Sequence, residues 1–231
     1  SKYLIFHFKN KLLLVHFGMS GKFLIVRNKD KKIFKTSFYY DLNILPNHNH
    51  VQFNLSNGLE LIYNDVRRFG FFKIFKSTKL KEISYLKKLG PEPFSRLFCE
   101  KYFKKFVKNR KKNIKCLLMD QTFVSGLGNI YVNEVLFVSK IHPLRRCNDL
   151  DLKSIKSLIH NIKKILKIAI NKGGSSIRDF KNTHGKSGSF QQFFKVYDQE
   201  NKNCSRISCK GKIKKIFISN RSSFYCNFCQ N

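Results

Sequence analysis

The chain has 231 residues, with 46 Lys and Arg against 14 Asp and Glu, a formal charge of +32. This length suits one large domain or two modest ones, and so cationic a chain selects a polyanionic partner, nucleic acid before an anionic membrane. No apolar run reaches the ~18 residues of a membrane-spanning helix, and the start lacks the charged, apolar, small-residue succession of a signal peptide.

Residues 1–76 read as strands. "KYLIFHF", "KLLLVHF" and "KFLIV" are short apolar runs, and "HVQFNLSNGLELIY" alternates on both sides of Asn57-Gly58, a strong hairpin signal. "RRFGFFKIF" continues the pattern, and several strands joined by tight turns predict an antiparallel sandwich. Residues 77–93 are charged, end in two prolines and read as a linker. From 94 to 194 the period is helical. In 150–174, Leu152, Ile155, Leu158, Ile162, Ile165 and Ala169 fall on one face, and Gly173-Gly174 supplies a stop after Lys172. Residues 195–231 return to strand-like sequence. The expected class is therefore α+β, with a β-sandwich first, a helical domain second and a small cysteine-bearing module last.

Of seven cysteines, Cys99, Cys116 and Cys147 are solitary, whereas Cys204, Cys209, Cys226 and Cys229 crowd the last 28 residues. An odd count without an export signal points to a reducing cytosol and not to a disulfide framework. The gaps are four, sixteen and two residues. Two close thiolate pairs can complete a tetrahedral shell, so one structural Zn2+ is expected, supplying stability that so small a module lacks by itself. The stretch between suits two strands turning near Ser219-Asn220, with Arg221 at the tip as a phosphate-facing finger.

The segment "DQTFVSGLGNIYVNE" joins two helical runs through Gly126 and Gly128. It lacks the three glycines and preceding strand of a dinucleotide fingerprint and the Gly-Lys-Ser/Thr of a nucleotide P-loop. A helix–turn–helix remains, with main-chain N–H groups at a helix N-terminus. Asn129 is expected to cap that helix and, with Lys115 and main-chain N–H groups, to grip one backbone phosphate, Arg110, Lys111 and Lys112 lying just before; from spacing alone a bare helix hairpin with a structural glycine is an equal alternative.

With these elements placed, the chain resembles the bacterial formamidopyrimidine-DNA glycosylases. The resemblance rests on "SKYLIFHF", "VHFGMSGKFLI", "HNHVQFNLSNG", "YNDVRRFG", "LGPEPF", "KCLLMDQTFVSGLGNIYVNEVLF", "IHPLR", "GGSSIRDF", "GKSGSFQQFFKVY" and "NRSSFYCNFCQ", in order along nearly the whole chain. It implies a helix–two-turn–helix motif, a C-terminal β-hairpin zinc finger, and base-excision repair of 8-oxoguanine and formamidopyrimidines in damaged double-stranded DNA. It implies a cytoplasmic, nucleoid-associated monomer without a membrane. It matches Met19, Arg67 and Phe69 to the residues that fill the gap left by an extruded base. Wedges can unstack a step, and an arginine can bond the orphaned cytosine. His48, Arg67, Arg110 and Arg178 match DNA-contacting positions, with arginine at 178 where many members carry lysine. Lys115, Asn129 and Arg221 match phosphate-binding ones. Lys2 and Arg221 match residues assisting the first and second strand-breaking eliminations.

Two further departures, beside Arg178, qualify the resemblance. The family's nucleophile is an N-terminal proline followed by glutamate. This chain starts at Ser1, where that segment would already be over, and Pro91 in "PEP" has no free amine. The expectation is a piece of a complete glycosylase and abasic-site lyase. A DNA-binding remnant without chemistry, an oxidised-pyrimidine glycosylase of the endonuclease VIII type and a basic zinc-bearing protein of an RNA assembly are the alternatives. The four-residue gap between the first two cysteines exceeds the commonest family spacing but still permits zinc.

Overall fold

The protein is described from a computed structural model, in which residues 1–27, 29–30, 33–34, 45–175 and 192–230 are placed. Two compact units are present, one centred on residues 2–84 and the other on 85–172 with 192–230.

The first unit is antiparallel β-structure. Its strands are β1 (Tyr3–His7), β2 (Lys11–His16), β3 (Lys22–Arg27), β4 (Ile33–Phe34), β5 (Asn49–Asn54), β6 (Leu59–Asn64) and β7 (Phe71–Lys76). They form a three-stranded sheet in the order β1-β2-β7 and a four-stranded sheet in the order β4-β3-β6-β5. The β5–β6 hairpin turns at Asn57-Gly58, where the Asn57 side chain accepts the Leu59 N–H at 3.2 Å. Leu12, Leu13, Leu14 and Val15 are all buried, so β2 is covered on both faces, which is why it reads as an unbroken apolar run. Aromatic rings join the sheets. Phe6 and Phe72 meet Phe23 at 6.0 and 6.2 Å between ring centres, and Phe72 meets Tyr63 at 4.8 Å.

Residues 77–93, read as a linker, carry a 3-10 helix (Ser77–Glu82) and the short α1 (Ser84–Lys87). The second unit holds α2 (Glu100–Val107), α3 (Ile114–Met119), α4 (Asn129–Val138) and α5 (Leu152–Asn171), then the hairpin β8 (Ile213–Ile218) and β9 (Arg221–Cys226). Its core gathers Phe98, Phe103, Leu117, Phe123, Val132 and Leu158 among others. Asp151 caps α5 by accepting the Ser154 N–H at 2.7 Å, and Gly173 takes φ +73° after the last turn. The buried stripe of α5 is Ile155, Leu158, Ile159, Ile162, Ile165 and Ala169. Leu152, assigned to that stripe from periodicity, is 48% exposed because it sits in the first turn, ahead of the packed segment. No helix among the described residues is long and apolar enough to cross a membrane.

Candidate nucleic-acid interface and metal centre

In the β unit, two neighbouring turns carry the exposed residues of interest. The β2–β3 turn presents Met19, 50% exposed, and the β6–β7 turn presents Phe69, 56% exposed. The Arg67 guanidinium lies 4.7 Å from the Phe69 ring centre, so cation and ring form one surface element. The turns interlock. Gly18 has φ +67°, and a Cβ there would lie 2.6 Å from the Phe69 carbonyl carbon. Only glycine satisfies both demands. His48 ends a 3-10 helix (Pro46–His48), and its carbonyl accepts the Asp65 N–H at 3.0 Å. Lys2 precedes β1. Its charge adds to burial in lowering the pKa of His16, whose Nδ1 accepts the Gly18 N–H at 3.0 Å. Sequence reading passed over His16 and Asp65, since a histidine ending a strand and an aspartate opening a turn are ordinary there.

In the second unit, α3, the 120–128 joint and α4 hold the C-terminal hairpin. The structure revises one expectation. Gly128, not Asn129, is the N-cap of α4, and Asn129 is its first helical residue. The Asn129 side chain donates to the Ser222 carbonyl at 3.0 Å. Lys115 is 1% exposed, and its Nζ donates to that same carbonyl at 2.9 Å and to Ser223 Oγ. Burial draws its pKa down to about 8; negative charge on the Cys116 sulfur opposes the shift and the Arg221 charge adds to it. The ammonium is thus engaged by the two residues that follow Arg221. Cys116 Sγ lies 3.2 Å from Ser219 Oγ at the hairpin tip. That tip is a two-residue turn with Ser219 and Asn220 at φ +48° and +57°, the conformation that matches strand twist. Arg221 is exposed there. Arg110 is exposed and stacks over Phe106 at 4.9 Å. Arg178 lies outside the described residues.

Further along α4, Asn133 accepts the Phe224 N–H at 2.7 Å and donates to the Asn129 carbonyl at 2.7 Å. Glu134, 3% exposed, accepts three main-chain N–H groups, from Lys195, Val196 and Tyr197, at 2.9–3.0 Å. Burial raises its pKa against those bonds. The i, i+4 spacing of Asn129 and Asn133 in "NIYVNE" was the available signal for a polar helix face, because such residues stack on one side.

The four clustered cysteines meet. Their Sγ atoms lie within 4.8 Å of one another, with Cys204–Cys229 at 3.9 Å and Cys209–Cys226 at 3.7 Å. A tetrahedron with Zn–S of ~2.3 Å has edges of roughly 3.8 Å, so the donor set fits a metal of that size. Burial disfavours the Cys226 thiolate, but the N–H groups of Cys229 and Phe228 together with the Cys229 and Cys204 thiols outweigh it and bring the pKa to about 7. A Cβ on Gly211 would come within 2.6 Å of Cys226 Sγ, so the loop closes only with glycine. Arg206, inside the four-residue gap, donates to the Phe137 and Val138 carbonyls at the C-terminal end of α4. Gln230 links the Cys226 N–H to the Ile141 carbonyl, both at 2.8 Å.

A family model described as Formamidopyrimidine-DNA glycosylase N-terminal domain matches residues 1–72, and one described as Formamidopyrimidine-DNA glycosylase H2TH domain matches residues 89–181. A formamidopyrimidine-DNA glycosylase of Roseobacter denitrificans is 40% identical over 231 residues, all of this chain and 80% of that protein. One of Rickettsia africae is 42% identical over 100% of this chain and 79% of its own. Among solved structures, the Lactococcus lactis Fpg in complex with abasic-site DNA superposes with a TM-score of 0.83 at 36% identity, covering 100% of this chain and 79% of that one. MutM in complex with DNA containing carbocyclic 8-oxo-G gives 0.83 at 38% identity with the same coverage.

Proposed function

Since the chain belongs to the formamidopyrimidine-DNA glycosylase family, we propose that it serves base-excision repair, binding double-stranded DNA at an oxidised purine, opening the duplex there and taking part in base release and strand scission. The observation that carries this reading is the exposed set of Met19, Arg67 and Phe69 on two interlocked turns. Large apolar side chains held out in water beside a cation are costly on a lone surface and useful as a wedge. Met19 and Phe69 enter the stack, and Arg67 bonds the base left without a partner. 8-Oxoguanine and formamidopyrimidines are the substrates this reading assigns.

Arg221 meets a phosphate at the hairpin tip. Asn129 and Lys115 support it by holding the Ser222 carbonyl, which fixes the strand from which Arg221 projects. One structural zinc on Cys204, Cys209, Cys226 and Cys229 secures the base of that hairpin. The chemical step in this family is attack of an amine on the sugar C1′ with breakage of the glycosidic bond and departure of the damaged base, giving a Schiff base from which the flanking phosphates are then eliminated. Lys2 assists the first elimination and Arg221 the second. The chain works as a monomer on DNA.

The test compares the chain beginning at Ser1 with the same chain preceded by the Pro-Glu segment of a relative. The extended protein is expected to excise 8-oxoguanine from a duplex and to be trapped on it by borohydride, and Met19→Ala with Phe69→Ala is expected to lose excision. An extended, folded, zinc-loaded protein that excises nothing would overturn the catalytic reading.

A further inference from the structure

We propose that Asp65 is the positioning residue of the duplex-opening surface: its carboxylate locks the Met19 turn and the Arg67–Phe69 turn into one rigid head, although it touches no DNA. This inference rests on the reading that Met19, Arg67 and Phe69 enter the duplex.

Asp65 is fully buried. One carboxylate oxygen accepts the Ser20 hydroxyl; the other accepts the Tyr63 hydroxyl and the Gly70 N–H, each at 2.9 Å. The Ser20 oxygen in turn accepts the Arg67 N–H at 3.1 Å. The pattern matches the three duplex-facing residues one by one. Met19 is bonded in sequence to Ser20, Arg67 is held through Ser20, and Phe69 is bonded in sequence to Gly70. Each therefore sits one covalent or hydrogen-bond step from a group that the carboxylate holds.

The main chain of Asp65 extends the lock. Its N–H donates to the His48 carbonyl at 3.0 Å, and its carbonyl accepts the Arg68 N–H at 3.3 Å. The same carbonyl lies 2.8 Å from His50 Nε2, which carries the proton because a carbonyl can only accept. Arg68 takes φ +55°, a strained conformation for a residue with a side chain, and it persists because its neighbours are fixed on both sides. Tyr63 OH also reaches the Phe17 carbonyl at 3.2 Å, so both turns share one anchor. Burial would raise the Asp65 pKa, yet the bonds from Ser20, Gly70, Tyr63 and Arg67 outweigh it and hold the carboxyl below its ordinary value. In a chain of charge +32, a buried anion satisfied by neutral donors is placed for geometry, not for charge balance.

The energetic logic is preorganisation. A wedge that is loose before binding must be ordered at the moment of base extrusion, and that ordering is subtracted from the opening free energy. Phosphate contacts on the other unit do not depend on it.

The experiment uses the full zinc-loaded chain and a duplex carrying 2-aminopurine beside an abasic-site analogue. Fluorescence reports unstacking, and anisotropy reports binding. Asp65→Ala is expected to cut the unstacking signal about tenfold while duplex affinity stays within about threefold, a split that general destabilisation would not give. Asp65→Asn is expected to restore much of the signal, since its carbonyl still accepts the Gly70 N–H and its amide can donate to Ser20 Oγ. Ser20→Ala, which leaves the bonds to Tyr63 and Gly70 in place, is expected to lose the part that Arg67 contributes, and it decides the matter should Asp65→Ala fail to fold. Wild-type unstacking in Asp65→Ala or in Ser20→Ala would overturn the proposal. A wild-type chain that binds the duplex without unstacking it would overturn the underlying reading of Met19, Arg67 and Phe69 instead.

Discussion

Lys115→Met separates two roles that burial has merged. The wild-type ammonium is held by two hydrogen bonds, to Ser222 O and Ser223 Oγ, each worth about 1.5–3 kcal/mol for a charged donor. Against this stands desolvation. A lysine pKa drawn from 10.5 to about 8 costs about 3 kcal/mol at neutral pH. At the lower end of that range, about 3 kcal/mol for the pair, the two contributions nearly cancel. Methionine fills similar volume, the Ser222 carbonyl keeps the Asn129 amide, and Ser223 Oγ still reaches the Arg221 carbonyl. The expected stability change near pH 7 is within about 1 kcal/mol. Duplex affinity, by contrast, should fall about tenfold as the Arg221 strand loses one of its two polar clasps. The sign with pH also follows. A lysine whose folded pKa lies below its unfolded value binds fewer protons when folded, so its contribution to stability rises as pH climbs from about 8 towards 10.5. Urea melts across that window should show the wild type gaining on Lys115→Met. A loss of more than about 3 kcal/mol at neutral pH, or unchanged affinity by anisotropy, would refute this reasoning.

Three further outcomes are expected. Glu134→Ala strands three N–H donors, that of Val196 buried and those of Lys195 and Tyr197 partly so, and should cost about 3 kcal/mol in urea unfolding, whereas Glu134→Gln, which keeps one accepting oxygen, should cost less. Gly18→Ala adds strain at φ +67° and a Cβ 2.6 Å from backbone, so a loss of about 2 kcal/mol or more with weakened duplex opening is expected; an unchanged melt would mean the turns do not pack as described. Chelation, or Cys226→Ser, should remove about one zinc per chain by elemental analysis and lower the thermal midpoint together with DNA affinity.

Local pattern carried much of this fold. The hairpin at Asn57-Gly58, the α5 stripe and the thiol spacing are all set by residues close in sequence, so periodicity and gap length sufficed. The cysteine cluster was legible because four ligands at short gaps have few other uses. What stayed hidden depends on partners far along the chain. Lys115 follows a run of surface cations and reads as one of them; its burial is created by a strand 107 residues away. Asp65 reads as a turn residue until Ser20, 45 positions earlier, is brought to its carboxylate. Asn129 was expected to cap α4, yet Gly128 takes that position and the Asn129 amide is drawn to the hairpin instead. Arg206 has no sequence signature at all, since its acceptors are helix-end carbonyls that exist only once α4 has formed.

Arg206 also bears on how the cysteine gap can drift. For the metal alone, the residues between Cys204 and Cys209 are spacer, and a shorter spacer would serve equally well. The present gap does a second job, because it delivers a guanidinium to the negative end of α4, over the Phe137 ring at 4.7 Å. Length and composition there answer to a helix terminus as well as to a tetrahedron. A lineage that trims the gap keeps its zinc but must find another cation for the end of α4, so the two changes should be inherited together.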